Sequence, residues 1–261
     1  LIAANISAEQ IIGMSGSGYA IGLAIASYEW MAAFTLLLVG KFLLPIFLRT
    51  GIYTMPQFLA QRYDNLVKKV MEVFWLGVYT LVNLTSILWL GALAMSTVAD
   101  VDLTTGLVAL GVFAVAYSLY GGLRAVALTD IIQVILLVLG GMTISWILLD
   151  QVGGGAGALA GFTALTDQAP DKFRMILPEG HPHYMSLPGL SVLVGGMWVM
   201  NLSYWGFNQY IIQRALAAKS VNEAQKGIAF AAFLKLLMPV IVVLPGLSLI
   251  HISEPTRHHV I

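Results

Sequence analysis

The sequence predicts an all-α, polytopic membrane protein, and three observations carry that prediction. Of its 261 residues 59% are hydrophobic and 10% are charged, against roughly 25% charged in an average soluble chain. Mean hydropathy is +0.86. The apolar residues gather into runs near the roughly 20 residues that a helix needs to cross about 30 Å of hydrocarbon, and most charges fall between those runs. A soluble single domain is excluded, and the lipid bilayer is the first partner. A formal net charge of zero with no basic tract leaves no role for nucleic acid. The absence of cysteine removes disulfides, thiolate metal sites and thiol catalysis together.

Taken in order, the spans fall near 1–22, 23–48, 66–98, 104–120, 125–149, 189–213 and 224–250. The third is long and is expected to tilt or protrude. Loop charges orient the set. Arg49, Arg62, Lys68, Lys69, Arg124, Arg214, Lys219 and Lys226 lie in one set of loops, and Lys172 and Arg174 lie in the other beside six acidic residues. Eight basic residues against two place the first set in the cytoplasm. The first span therefore runs from inside to outside.

The connections between spans also carry expectations. Residues 51–65 read as a short amphipathic helix begun at Pro56. The long outer connection 150–188 opens on Gly153-Gly-Gly-Ala-Gly157 and holds four prolines, so it reads as a loop. Its His181-Pro-His183 pair lacks acidic or cysteine neighbours and reads as solvated rather than metal-binding. The chain opens without Met, inside a helix, and no signal peptide precedes the first apolar run, so it reads as a fragment. Residues 251–261 lack periodicity and form a polar tail. The stretch Leu249-Ile-His-Ile-Ser-Glu-Pro-Thr-Arg257 resembles a translated sequencing-adaptor scar, and no function is assigned to His251, His258 or His259.

Polar residues that hydrophobicity does not explain point to the site. The first span carries Asn5, Ser7, Glu9, Gln10, Ser15 and Ser17 with Gly13, Gly16 and Gly18. An ionisable residue at mid-span costs about 2.5–3.5 kcal/mol on insertion scales. Irregular backbone survives at that depth only against protein or a water-filled cavity. A break near Ile6 would free carbonyls suited to a hard cation, and the glycines suit close helix packing. In span six, Asn201, Tyr204 and Trp205 stand at i, i+3 and i+4 and share one helix face. Polar, discontinuous helices at positions one and six are what an inverted five-plus-five repeat predicts, with a first repeat over about 1–150 and a second opening at about 189–250. Asn208, near the cytoplasmic end, reads as a bond to a neighbouring helix.

Three charges remain. Glu29 lies inside the outer end of span two. Lys235 lies roughly 13 Å into span seven at 1.5 Å per residue, too deep for its stem to reach water comfortably. Two readings stand: the pair binds each other, or each binds hydroxyls of a neutral polar ligand. Asp130 begins span five, either as a plain helix-end charge or as a carboxylate attracting a departing cation. No zinc-protease, serine-hydrolase or phosphate-loop motif accompanies these groups, and the reading is not of an enzyme.

The motifs Ala4-Asn-Ile-Ser-Ala-Glu-Gln10, Ser27-Tyr-Glu-Trp30, Tyr120-Gly-Gly-Leu-x-Ala-Val-x-x-Thr-Asp-x-Ile-Gln133, Tyr204-Trp-Gly-Phe-Asn-Gln-Tyr-Ile-Ile-Gln-Arg214 and Ala217-Ala-Lys-Ser220 resemble the solute:sodium symporter family, most closely its bacterial sugar-carrying members. The likeness runs over about residues 1–247. It implies a leucine-transporter-like inverted-repeat fold of which this chain holds core helices one to seven. It also implies sodium-coupled symport of a galactose- or glucose-like hexose across the inner membrane by alternating access. Residues matching Gln10, Glu29, Asn201 and Lys235 hold the sugar there, with Asn5 nearby. Tyr204 matches an inner gate, and Met14 and Tyr28 match outer-gate positions. Carbonyls matching Ala3 and Ile6 bind sodium, with hydroxyl ligands from a later helix, and Asp130 matches the sodium exit route. Ala32 departs from a sugar-contacting serine, which opens the choice of hexose. A symporter for another polar solute and a transporter-like sensor are the rival readings.

Overall fold

The computed structural model describes residues 1–6, 8–187 and 189–253. Ser7, His258 and His259, together with the side chains of Glu9 and His251, lie outside the described residues.

The chain opens on a broken helix. α1 (Ile2–Asn5) stops at Ile6, whose extended backbone (φ −92°, ψ 107°) ends the helical turn. α2 (Ala8–Ala20) then continues the span. The expected break near Ile6 is therefore present. α3 (Leu23–Arg49) crosses back and carries a π turn at Val39–Leu43 just before Pro45. Proline lacks an N–H and crowds the carbonyl four residues earlier, and the wider turn accommodates both.

α4 (Met55–Arg62) is the short helix expected between the second and third spans, begun one residue ahead of Pro56. Thr54 and Gln57 form a reciprocal cap, with the Gln57 Oε1 accepting from the Thr54 N–H at 3.1 Å. α5 (Asn65–Ala99) is the long span. Asp64 caps it by accepting from the Val67 N–H at 2.8 Å, and a π turn interrupts it at Val78–Leu84. α6 (Leu103–Gly122) and α7 (Ala125–Val152) meet at Gly122, whose φ of 54° no helix allows.

The outer connection departs from the sequence expectation. It contains α8 (Ala158–Gln168), with Leu165 fully buried, and a 3-10 turn at Pro170–Phe173. α8 seats on α7 through Gly161, where an added Cβ would lie 1.7 Å from the Leu149 carbonyl oxygen. That contact between distant residues stabilises a helix that a Gly- and Pro-rich stretch does not advertise. His181 and His183 stand in a turn with ring centres 5.8 Å apart, and no cluster of three metal-ligating side chains occurs among the described residues.

The second broken helix is α9, residues 189–207, which ends at Asn208 in extended backbone (ψ 115°). α10 (Gln209–Leu216) continues beyond it. The sixth apolar run is thus interrupted at Asn208, as a discontinuous helix at this position requires. α11 (Val221–Leu249) is capped by Ser220, which accepts from the Glu223 N–H at 3.2 Å. Helical backbone continues to Ser253, past the point where a polar tail was expected.

Among the described residues five helices, α3, α5, α6, α7 and α11, are long and apolar enough to cross a membrane. In their most apolar stretches α3 is 44% and α11 56% buried, against 0% for α5 and 6% for α6 and α7. The core therefore lies around α3 and α11, and the other three spans present apolar faces outward. α2 joins that core by close backbone approach: an added Cβ at Gly246 would lie 2.0 Å from the Ser15 carbonyl oxygen, and at Gly18 2.8 Å from that of Val243. Gly13 and Gly16, expected to share this packing, face open space instead.

Candidate functional site

A cavity of about 500 Å³ opens where the break after α1 meets α3, α5, α9 and α11. Hydrophobic burial brings α11 against α3, and this sets Lys235 opposite Glu29 deep in the core. Lys235 is 1% exposed and Glu29 3%. The Lys235 Nζ donates to the Glu29 Oε2 at 2.6 Å and also to the Asn5 Oδ1. It lies 5.2 Å from the centre of the Trp205 ring, where a cation meets the negative ring face. Two ions buried this way need further hydrogen bonds to offset lost hydration. Gln10 supplies one, its Nε2 donating to the Glu29 Oε1 at 2.6 Å and to the Met14 sulfur at 2.8 Å.

The opposite wall comes from α9. The Trp205 indole N–H donates to the Asn201 Oδ1 at 3.2 Å, and the Asn201 amide donates to the Met197 carbonyl at 2.9 Å. The Asn5 Nδ2 donates to the Tyr204 hydroxyl oxygen at 3.1 Å, tying the first broken helix to the second. Gln10, Glu29, Asn201, Lys235 and Asn5 thus line one cavity, together with Tyr204, Met14 and Tyr28, and Ala32 lines it too. Glu29 and Lys235 pair with each other, the first of the two readings, and both also line the cavity. The arrangement offers donors and acceptors side by side on an aromatic and aliphatic lining. Such a surface suits an uncharged, hydroxyl-rich molecule, and Glu29 disfavours an anion.

Ala3 and Ile6 flank the break without lining the cavity, and the neighbouring Ala4 carbonyl accepts from the Tyr210 hydroxyl. Asp130 stands apart from the cavity. Its carboxylate accepts from the Arg214 Nε at 2.7 Å, linking α7 to α10, and Arg214 also donates to the Tyr210 carbonyl at 2.9 Å. Asn208 makes the expected interhelix bond: its Oδ1 accepts from the Tyr79 hydroxyl at 2.6 Å and from the Tyr210 N–H at 3.1 Å. At the outer end, Lys172 donates to the Tyr19 and Ala20 carbonyls at 3.2 and 2.7 Å, covering the end of α2. Burial holds its ammonium below the ordinary lysine value.

Sequence reading missed two wall residues from α5, Asn83 and Ile87. The signal for Asn83 was present, since an amide in the middle of an apolar span wants a partner or a cavity. It missed the Asp130–Arg214 pair as well.

A multi-pass helical bundle with its polar cavity at two interrupted helices defines the class of secondary transporters. The profile of the sodium:solute symporter family matches residues 1–256, and the chain belongs to that family. A sodium/glucose cotransporter of Vibrio parahaemolyticus is 59% identical over 248 residues, covering 95% of this chain and 46% of that protein. An uncharacterised symporter of Escherichia coli K12 is 34% identical, over 97% of this chain and 45% of that protein. The human sodium/myo-inositol cotransporter 2 is 31% identical, over 95% and 38%. The chain spans less than half the length of these relatives.

Proposed function

We propose that the whole protein carries a neutral hexose of the glucose or galactose type together with sodium across the bacterial inner membrane by alternating access. One observation carries the reading: a cavity at two helix breaks holds a buried Lys235–Glu29 pair flanked by the Gln10 and Asn5 amides. The printed function of the Vibrio relative points the same way. In this reading Gln10, Glu29, Asn201, Lys235 and Asn5 hold sugar hydroxyls. Tyr204 closes the site toward the cytoplasm, and Met14 and Tyr28 close it outward. Sodium sits near the first break on carbonyls of Ala3 and Ile6 and leaves past Asp130. The segments 1–150 and 189–250 belong to two inverted repeats. Sodium and sugar bind with reciprocal coupling, typically worth about 1–3 kcal/mol.

A second reading is a cyclic polyol. The human relative whose name is sodium/myo-inositol cotransporter 2 favours it, and Ala32 on the cavity wall leaves the preferred solute open. Reconstitution of the whole protein in liposomes tests both. The expected result is sodium-gradient-driven accumulation of at least one of glucose, galactose and myo-inositol. Uptake that ignores sodium, or no uptake of any of the three, would sink the proposal.

A further inference from the structure

The spans α3 and α11 lie side by side, and an exposed seam runs along their junction. On α3, Phe34, Leu37 and Lys41 follow Trp30 at four, seven and eleven residues, so the four share one helix face. Phe34 is 57% and Leu37 50% exposed, and Lys41 is exposed with them. On α11, Phe233 and Leu236 are exposed at i and i+3. The Trp30 indole N–H donates to the Leu236 carbonyl at 3.4 Å, which sets the two rows beside each other. Further along, the Gln225 Nε2 donates to the Gly40 carbonyl at 2.9 Å, and an added Cβ at Gly40 would lie 2.9 Å from the Ile228 Cγ2. The helices touch there, so an occupant lies along the seam and not between them.

Lys41 is out of place on this apolar surface. α3 has 27 residues, about 40 Å at 1.5 Å per residue, and overhangs about 30 Å of hydrocarbon by roughly 5 Å at each end. Lys41 stands about 12 Å before Arg49, the last residue of the helix, and so roughly 7 Å inside the hydrocarbon edge. Its Nζ lies 5.3 Å from the centre of the Phe42 ring. Among the described residues no carboxylate pairs with Lys41 or Arg49. An ammonium at that depth is costly unless its stem carries it to an anion at the interface.

We infer that the α3–α11 seam binds an anionic phospholipid, with its phosphate on Lys41 and an acyl chain along Phe34, Leu37 and Phe233. An apolar row that ends in a cation matches the chain and headgroup of such a lipid. A second copy of this chain is a poor source of the anion, because the described carboxylates of the spans are engaged. Lys235 holds Glu29, Lys68 meets Glu72, Arg214 holds Asp130, the Gly157 N–H donates to Asp150, and Lys226 holds Glu223. With no carboxylate beside Lys41 to meet the amine of a zwitterionic headgroup, a lipid of net negative charge is preferred. The inference does not depend on which solute the protein carries.

The test places a fluorophore on the seam through Leu37→Cys in the whole protein, with any other cysteine replaced. Quenching by brominated phosphatidylglycerol is compared with quenching by brominated phosphatidylcholine at equal mole fractions in reconstituted vesicles. Phosphatidylglycerol is expected to be preferred at least threefold. Lys41→Gln should bring the two lipids to within 1.5-fold of each other, while Lys41→Arg, which keeps the charge and controls for folding, should retain the preference. Equal quenching by both lipids around Lys41 would reduce the seam to ordinary lipid contact and overturn the site. A preference that survives Lys41→Gln would overturn it as well, by placing the headgroup elsewhere. No quenching by either lipid would show the seam covered by protein, another segment or a second copy, and would also overturn it.

Discussion

The two interrupted helices are held by different chemistry. At the first break the neighbourhood is ionic: Asn5 and Gln10 bond the buried Lys235–Glu29 pair, whose two members come from other helices. At the second break the neighbourhood is neutral: Asn208 caps its own following helix and accepts one phenol from α5. Removing one member of a buried ion pair strands the other charge and costs about 3–5 kcal/mol. Removing one neutral hydrogen bond costs about 0.5–1.5 kcal/mol net, more where a buried group is left unpaired. The first break is therefore intolerant of single changes, and the second is adjustable. That asymmetry suits a site fixed at one helix and opened at the other.

Breaking the ionic side should have the largest effect. Lys235→Ala in the whole protein is expected to abolish sugar uptake and to lower Tm, since Glu29 remains buried without its cation at about 3–5 kcal/mol. Adding Glu29→Gln should recover much of the Tm and none of the uptake, measured by thermal melts beside transport. Recovery of uptake by the double variant would show the pair to be structural.

Tyr204 joins the two breaks and comes next. Tyr204→Ala should impair coupled accumulation well beyond Tyr204→Phe, which loses only the bond from Asn5 at about 0.5–1.5 kcal/mol. The chain has no cysteine, so an Asn201→Cys background, with any cysteine elsewhere in the whole protein replaced, reports access directly. With sodium and sugar present, a cytoplasmic thiol reagent should label that cysteine faster when Tyr204 is Ala. Equal labelling rates would remove the gate.

On the neutral side, Asn208→Ala should cost about 1–2 kcal/mol through the lost cap and lower the uptake rate several-fold without abolishing it. A loss as complete as that of Lys235→Ala would erase the asymmetry. The smallest effect belongs to Ala32→Ser. A hydroxyl restored to the cavity wall should tighten at least one hexose by about 0.5–1.5 kcal/mol. Unchanged KM values across glucose, galactose and myo-inositol would mean that position 32 does not meet the substrate.

What could be read from the sequence was what a membrane makes costly. Asn5, Gln10, Glu29, Asn201 and Lys235 stood out because lipid tolerates none of them without a partner, and the structure gathers all five. The break at Ile6 was legible for the same reason. Features created by contact between distant residues were not. α8 exists because Gly161 lets it seat on Leu149, and Gly13 and Gly16 look identical to Gly18 until the path of α11 is known. The Asp130–Arg214 pair depends on the direction α10 takes after Asn208, which no local pattern encodes.

The π turn at Val78–Leu84 has a consequence for how α5 is wound. In a regular helix, side chains four residues apart slip about 40° round the axis at each step, so a row of them spirals away from any fixed surface. The extra residue in the wide turn takes back part of that slip. Trp75, Tyr79, Asn83 and Ile87 can then stand as one file, the first two on a separate cavity against α4 and the last two on the cavity that holds Glu29 and Lys235. A single-residue deletion within 78–84 would put the two ends of the helix out of phase and turn one pair away from its cavity while leaving the other in place.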